Sequence, residues 1–512
     1  MLALITNRSF IDSRAYDGFR KCIQNDFNEC YIVDTKSDVR LNPKIAGTTH
    51  NVFGIQTGVA IMLLVKKEMQ EGECKIKYVS MEDDWRKEIK LDWLRNHKLG
   101  NISFENINPD KKNNWINLSD NDFEELIPTI DKDVKSGNSK NSLFQLFSSG
   151  IKSQRDEWVY DNSKDALENK VKFMIDVYSK TLSDEKYEEK NSIKWDSDLN
   201  KYLDRGIDKN FSENKILKAL YRPFTHQYFY FDKHFNGRTY QWFEIFNSTD
   251  FNEYIIIPGL SSPKDFFLLS SSLIIDLNCL PAGCQCIPLY RYSKKGERIE
   301  NITNWGLEQF RTNYKDKKIT KEEIFHYTYA VLHNPAYRKK YELNLKRDFP
   351  RIPFYKDFWQ WSKWGKKLME LHINYETVKP YSLKENTFKT KAEAAKQKKL
   401  FPVIKEPQSL YALQPKIKVK LKADKDNGII ELDELTYLSG VPAEAWEYKL
   451  GNRSALEWIL DQYKEKKPSD PTIAEKFNTY RFADYKTQVI DLLKRVCTVS
   501  VETMKIIKEM DS

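Results

Sequence analysis

Two stretches decide the fold of the amino-terminal part: LALIT (2–6) and NVFGIQTGVAIMLLVKK (51–67). Leu2–Thr6 is a short apolar strand. Between the two stretches, Asp12–Asn25 carries Ala15, Phe19, Cys22 and Ile23 at helical spacing, and Cys30–Val33 is a second strand ending at Asp34. The 51–67 stretch reads as strand, turn at Thr57-Gly58, strand: a hairpin closing an otherwise parallel sheet. Lys75–Val79 adds a third short strand. The alternation of strand and helix marks an α/β piece. A doubly wound domain opens on a strand and a Gly-rich turn that holds its ligand. Here the chain begins at what reads as a late strand, and 1–80 is short for such a domain. The expectation is that the front half of the sheet is missing.

Working outward, residues 82–210 are charged and Asn-rich, with helices expected at Glu82–Asn96 and Asp165–Leu182, as in a connector or small helical domain. From about 211 to 300 the pattern turns to strands, with YFYFD (228–232) and YIIIP (254–258). Helices are expected at Lys321–Leu332, Pro335–Lys346 and Asp357–Tyr375. Residues 379–406 are Lys-rich and weakly periodic, a loop or linker, and 416–437 alternate as strands do. Helices follow at Ala455–Lys464 and Tyr485–Glu509, and LGNRS (450–454) reads as a helix start with Asn452 or Ser454 at the cap. No internal repeat is present.

Composition excludes several classes. The chain has 512 residues, 40% apolar and 13% aromatic, more aromatics than a disordered chain carries. Eighteen Gly and 18 Pro exclude a collagen-like or low-complexity reading. The longest purely apolar run is Val59–Val65, far from the ~20 residues of a membrane span. The apolar patches of Tyr254–Ile275 are interrupted by Pro258, Gly259, Pro263, Lys264 and Asp265. No signal-peptide pattern opens the chain. The seven cysteines are odd in number, and Cys279, Cys284 and Cys286 have C-x4-C-x-C spacing, which matches no common zinc pattern. Core or surface thiols in a reducing cytoplasm are expected, with no metal and no membrane. There is no HExxH, P-loop, GxSxG or complete GxGxxG, and His372 lies in an apolar-rich helix and reads as packed.

A net charge of +9 permits a nucleic-acid partner without demanding one, so its distribution matters. Between Ala336 and Glu370 stand ten Lys/Arg against four acids, interleaved with Tyr337, Tyr341, Phe349, Phe354, Tyr355, Phe358, Trp359, Trp361 and Trp364. Phosphates call for Lys and Arg, and bases for flat partners or bidentate forks. The alternative is a solvated helix face over an aromatic core. Arg338, Lys339 and Lys340 fall near the start of the 335–346 helix. The two prolines of KRDFPRIP (346–353) force an extended crossing that projects Arg347 and Arg351. These arginines either meet phosphate or guanine, or Arg351 pairs with an acid such as Asp348 or Asp357.

The segments LALITNRSFIDSRAYDGFRK (2–21), CYIVDTKSDVR (30–40) and 51–67 resemble the later half of γ-class methyltransferases that modify adenine N6 in DNA. ILKALYRPFTHQYFYFD (216–232), 333–376, 438–464 and 476–493 resemble the C-terminal specificity region of Type ISP (single-polypeptide Type I) restriction-modification enzymes. The resemblance covers most of the chain. It implies an α/β piece with a partial Rossmann-like methyltransferase sheet ending in a β-hairpin, then a mixed α+β target-recognition region. The divisions expected are 1–90 for the methyltransferase end, 91–210 for a helical connector, 211–400 for target recognition and 401–512 for a C-terminal specificity subdomain. Double-stranded DNA is the implied partner and S-adenosylmethionine the cofactor of the intact enzyme. That family's cofactor loop and NPPY-type motif lie upstream of the ITN strand, and neither occurs here: Asn42-Pro43 is followed by Lys44. The chain is then a C-terminal portion with no catalytic residue of its own. It could serve a separately encoded N-terminal methyltransferase, helicase and nuclease chain, or be an inactive remnant. The family places an aromatic ring at the start of the hairpin to stack on the extruded base. The matching position is Phe53, whose alternative is a core Phe. The DNA-contacting set implied is Arg222, Arg338, Lys339, Lys340, Arg347, Arg351, Lys366 and Lys367.

Overall fold

The structure, a computed structural model, describes residues 1–38, 49–67, 73–82, 85–110, 113–116, 121–139, 141–260, 265–388 and 417–510. The chain forms two compact units, Met1–Asp122 and Phe123–Ser512.

The first unit is built on a five-stranded sheet of β1 (Leu2–Asn7), β2 (Glu29–Asp34), β3 (Val59–Val65), β4 (Lys75–Ser80) and β5 (Glu105–Ile107), in the order β1-β3-β2-β4-β5. β3 is antiparallel to both β1 (Leu2↔Leu64) and β2 (Cys30↔Leu64), whereas β2 and β4 run parallel. The apolar run VAIMLLV therefore lies between two neighbours, and its buried side chains Met62 and Leu64 meet Phe10, Ile11, Ile23, Ile32 and Ile76. The hairpin expected over 51–67 is not formed. Residues 51–58 make turns, because the buried Asn51 side chain bonds the local backbone: its Oδ1 accepts from Phe53 N (2.9 Å) and its Nδ2 donates to Thr57 O (2.8 Å). β3 instead pairs with strands that precede it in sequence. β5 and the residues up to Asp122 also belong to this unit, so its boundary lies beyond the expected 90. β1 is an edge strand, and all six of its residues are exposed, including Leu2, Leu4 and Ile5.

The second unit is mixed α and β. One four-stranded sheet orders Ile274–Ile275, Ile216–Arg222, Thr225–Tyr230 and Tyr160–Asp161. A second orders Leu269–Ser271, Tyr254–Pro258, Cys284–Pro288 and Ser148–Ser149. A third orders Lys384–Thr387, Thr436–Ser439, Ile429–Asp433 and Val419–Asp424. The divisions expected at 210 and 400 fall inside this unit. Tyr160 pairs with Phe229, and one continuous core runs from Ile151 to Val501. Most of the Lys-rich stretch 379–406 lies outside the described residues, and 384–387 within it is a strand rather than a loop.

The helices Lys321–His333, Phe358–Ile373 and Phe482–Met510 carry a second core. Every residue from Ile324 to His333 is buried. A helix apolar on all sides must lie in the interior. His372 is packed, as its surroundings in sequence suggested. Its Nδ1 shares a hydrogen bond with Tyr329 Oη (2.6 Å), and Nε2 meets Thr503 Oγ1 (2.9 Å) and Tyr448 Oη (3.2 Å). Ser454 caps Ala455–Gln462 in a capping box with Glu457. The cysteines are free thiols, six buried and Cys22 exposed. Among the described residues no group of side chains could hold a metal ion, and no helix is long and apolar enough to cross a membrane.

Candidate nucleic-acid interface

The basic and aromatic residues of 336–370 separate when the chain folds. Part of the aromatic set turns inward: Tyr337, Tyr341, Phe358 and Trp361 are all buried, and Tyr355 stacks on Trp361 at 4.4 Å, whereas Trp359 is 41% exposed. The buried rings form core rather than a stacking platform. The helix expected over 335–346 is two short helices, Pro335–Lys340 and Glu342–Arg347, broken at Tyr341. The prolines hold 348–353 extended, and Arg351–Ile352 pairs with Ile127–Pro128.

The candidate cations meet different fates. On the 358–373 helix Lys366 and Lys367, together with Lys363, project from the exposed face. Spacings of three and four place them on one side, and none has an ion-pair partner among the described residues. Lys339 and Lys340 are exposed, and Lys340 Nζ lies 5.0 Å from the Tyr341 ring centre. Arg347 is half-buried in the last turn of its helix, with no ion-pair partner among the described residues.

Two arginines are already engaged. Arg351 binds Glu124 twice, Nη2 to Oε2 and Nη1 to the carbonyl oxygen, both at 2.8 Å, and lies over the Phe123 ring. Of the alternatives open for Arg351, the acid partner is the one formed, with Glu124 in place of Asp348 or Asp357. Arg222 forms a 2.7 Å ion pair with Asp276 and stacks over Tyr221. Burial opposes the charge of Arg222, but Tyr221 and Asp276 outweigh it and raise its pKa. Burial pushes Asp276 up to about 6 in spite of Arg222. The surroundings of both arginines assign them to structural pairing rather than to an open face.

Arg338 lies in a cavity of about 450 Å³ whose lining includes Lys339 and, from far downstream, Lys449. Nothing in the local sequence around Lys449 marks it, because only folding brings the Lys449–Leu450 strand beside 338.

In the first unit Phe53 is 55% exposed, which excludes the core alternative. Ile55 beside it is 46% exposed. Gly54 takes φ +67°, a conformation that favours glycine, and its N–H bonds Asn51 O at 3.0 Å. The loop therefore presents an aromatic ring on a backbone fixed by Asn51. At the end of β2, Asp34 accepts from Arg8 Nε at 3.1 Å and from Tyr78 Oη at 2.9 Å. A carboxylate so engaged is spoken for.

Comparison with known proteins identifies the family. The Type ISP C-terminal specificity domain matches residues 142–492, and the chain belongs to that family. Among solved structures the chain is similar to a DrdV–DNA complex, with 41% identity and a TM-score of 0.78. It is also similar to a nuclease-deletion mutant of the Type ISP restriction-modification enzyme LlaGI in complex with a DNA substrate mimic (27%, 0.73). A third is the ATP-dependent Type ISP restriction-modification enzyme LlaBIII bound to DNA (27%, 0.75). Each alignment covers 99% of this chain but only 50%, 46% and 32% of the other. The chain thus spans half the length of these proteins or less. No match was found among curated proteins.

Proposed function

We propose that this chain is the DNA target-recognition portion of a site-specific adenine-N6 DNA methyltransferase and restriction enzyme of a restriction-modification system. The observation that carries the reading is the likeness of essentially the whole chain to proteins solved on DNA, across the specificity domain and the sheet alike. Lys363, Lys366 and Lys367 supply phosphate contacts, and the exposed ring of Phe53 stacks on the extruded base, where such stacking is worth ~1–3 kcal/mol.

S-adenosylmethionine is the methyl donor in this reading, but its seat is supplied by further polypeptide, in the same longer protein or in a separate chain. The uncovered edge strand β1 supports this. Among the described residues it pairs with β3 alone and carries exposed Leu2, Leu4 and Ile5, a surface natural sheets cover. An inactive remnant is the competing reading, and it predicts no DNA affinity.

The decisive experiment titrates the purified chain with labelled duplexes at several salt concentrations. Saturable binding that weakens with salt is expected, and Lys363→Glu/Lys366→Glu/Lys367→Glu should flatten the salt dependence by up to about three units. Equal binding by wild type and the triple variant would reject this face. No binding by either would favour the remnant. Incubated alone with DNA and labelled S-adenosylmethionine, the chain should transfer no methyl group. Co-expression with a polypeptide that carries the cofactor loop and NPPY-type motif should yield transfer, and Phe53→Ala should then weaken it roughly 5- to 150-fold.

A further inference from the structure

The cavity at Arg338 has the chemistry of an anion seat. Arg338 is the deepest cation there: its Nε donates to Leu332 O at 2.6 Å, which leaves both terminal amino groups of the guanidinium for another partner. No carboxylate among the described residues pairs with it. Arg338 is half-buried, and a guanidinium partly withdrawn from water with no acid beside it is better held when an anion completes it. Burial lowers its pKa to about 10, still well above neutrality, so the charge persists.

The surrounding charges reinforce it. Lys339 and Lys449 line the same cavity, are exposed, and have no ion-pair partner among the described residues. The three acids on the lining are offset by lysines outside it. Glu342 is paired with Lys346 at 2.6 Å, Asp265 lies 4.0 Å from the same lysine, and Glu447 lies 3.5 Å from Lys508. His333 also lines the cavity. Its Nδ1 meets Tyr329 O at 2.9 Å, and a carbonyl only accepts, so Nδ1 carries the proton. Its Nε2 is then a buried acceptor without a partner among the described residues, so His333 gives an anion no hydrogen bond and the seat rests on the cations. Apolar Phe266, Met504 and Ile507 form another wall, suited to pack against a sugar.

We propose that this cavity seats a phosphate group held by Arg338, Lys339 and Lys449, and that in the DNA complex it is a backbone phosphodiester. A guanidinium fork and two ammonium groups lining one cavity, with Lys449 brought from far downstream, suit the several oxygens of one phosphate. The DNA source of the phosphate rests on the function proposed above, whereas the seat itself does not.

Two measurements separate these levels. The first is the thermal shift of the full chain in inorganic phosphate, against chloride at equal ionic strength. Wild type should be stabilised, and Arg338→Gln, Lys339→Glu and Lys449→Glu should lose the effect. Lys339 and Lys449 are exposed, so their variants keep the test open if Arg338→Gln folds poorly. The second is the salt dependence of DNA affinity, whose slope should fall by about one unit in Lys449→Glu, equally for all sequences. A phosphate shift lost in the variants, with an unchanged DNA slope, assigns the seat to free phosphate or a nucleotide and overturns the backbone assignment. No phosphate shift and no change in slope overturn the seat altogether. If wild type binds no DNA at all, the target-recognition reading fails while the phosphate shift still decides the cavity.

Discussion

Gly365→Ala should destabilise the second unit by about 3 kcal/mol. Gly365 lies on the 358–373 helix against the 321–333 helix. A β-carbon placed on it would stand 1.7 Å from the carbonyl oxygen of His326 and 2.5 Å from the carbonyl carbon. Real β-carbons essentially never approach closer than 3.0 Å, so the helices must part by more than about 1 Å. The obstacle is backbone, and no change of rotamer relieves it. A gap of 0.5–1 Å forfeits roughly a quarter to a half of each dispersion well along the seam. That seam is lined by buried Phe325, Tyr329, Trp361, Leu368 and Met369. Overpacking of this kind costs ~1–3 kcal/mol and occasionally more, and the better helix propensity of Ala returns at most ~1 kcal/mol. The seam is central and both helices are tethered, so the upper part of the range applies. Urea unfolding followed by circular dichroism measures the midpoint and slope for wild type and variant. Gly18→Ala is the matched control. It lies in the helix Asp17–Asp26 with nothing within 4 Å of an added β-carbon, and it should be neutral or stabilising by up to ~1 kcal/mol. An unchanged midpoint and slope for Gly365→Ala would refute the close approach of the two helices.

Three further outcomes follow from individual side chains. Arg351→Ala should lower stability by about 1 kcal/mol and leave DNA affinity intact, because the guanidinium is occupied by a half-exposed Glu124; a weakened DNA complex at unchanged melting temperature would contradict this. Burial, and then the charge of Arg338, push His372 down to about 3, so the folded protein keeps the ring neutral while the unfolded chain takes up a proton below about 6.5. The stability contributed by the neutral ring is complete above that value and is lost as pH falls toward 3. Between pH 7 and 5 the loss is about 2 kcal/mol, which His372→Gln should remove from the pH profile; parallel profiles for the two proteins would rule it out. Ser454→Ala removes the cap of the helix Ala455–Gln462, including the 3.3 Å bond from Glu457 N, and should cost about 1 kcal/mol by denaturant unfolding; a change below a few tenths would mean water serves as well.

What could be read from sequence was whatever depends on neighbours along the chain. Strand Val59–Val65, the 321–333 and 358–373 helices and the Ser454 cap all follow from local pattern and capping chemistry. Most differences from the local reading come where residues far apart in sequence meet. The hairpin over 51–67 looked right as an isolated pattern, but it is β1 and β2 that flank β3, and Asn51 ties the intervening residues into turns. The divisions at 210 and 400 followed shifts in composition, yet strand pairing such as Tyr160↔Phe229 crosses the first of them. Phe53 could not be assigned from spacing, since a phenylalanine beside an apolar run suits core and surface equally; its 55% exposure decides it.

The basic-aromatic cluster shows how folding sorts a composition that suits nucleic acid. Interleaved Lys, Arg, Tyr and Trp satisfy two demands at once, since a short helical segment must bury one face and solvate the other. Four of the rings, Tyr337, Tyr341, Phe358 and Trp361, went to the face that packs and are not available to a base, while Trp359 and Phe354 stay exposed. The cations then divided by whether an acid lay within reach. Arg351 found Glu124 and Arg222 found Asp276, while Lys363, Lys366 and Lys367 found none among the described residues. A charge already neutralised has lost most of its attraction for phosphate, because a new contact must first break the old one. In the proposed function, the residues left to meet DNA are therefore those for which folding supplied no counter-charge among the described residues, a property set by the tertiary fold and absent from any local motif.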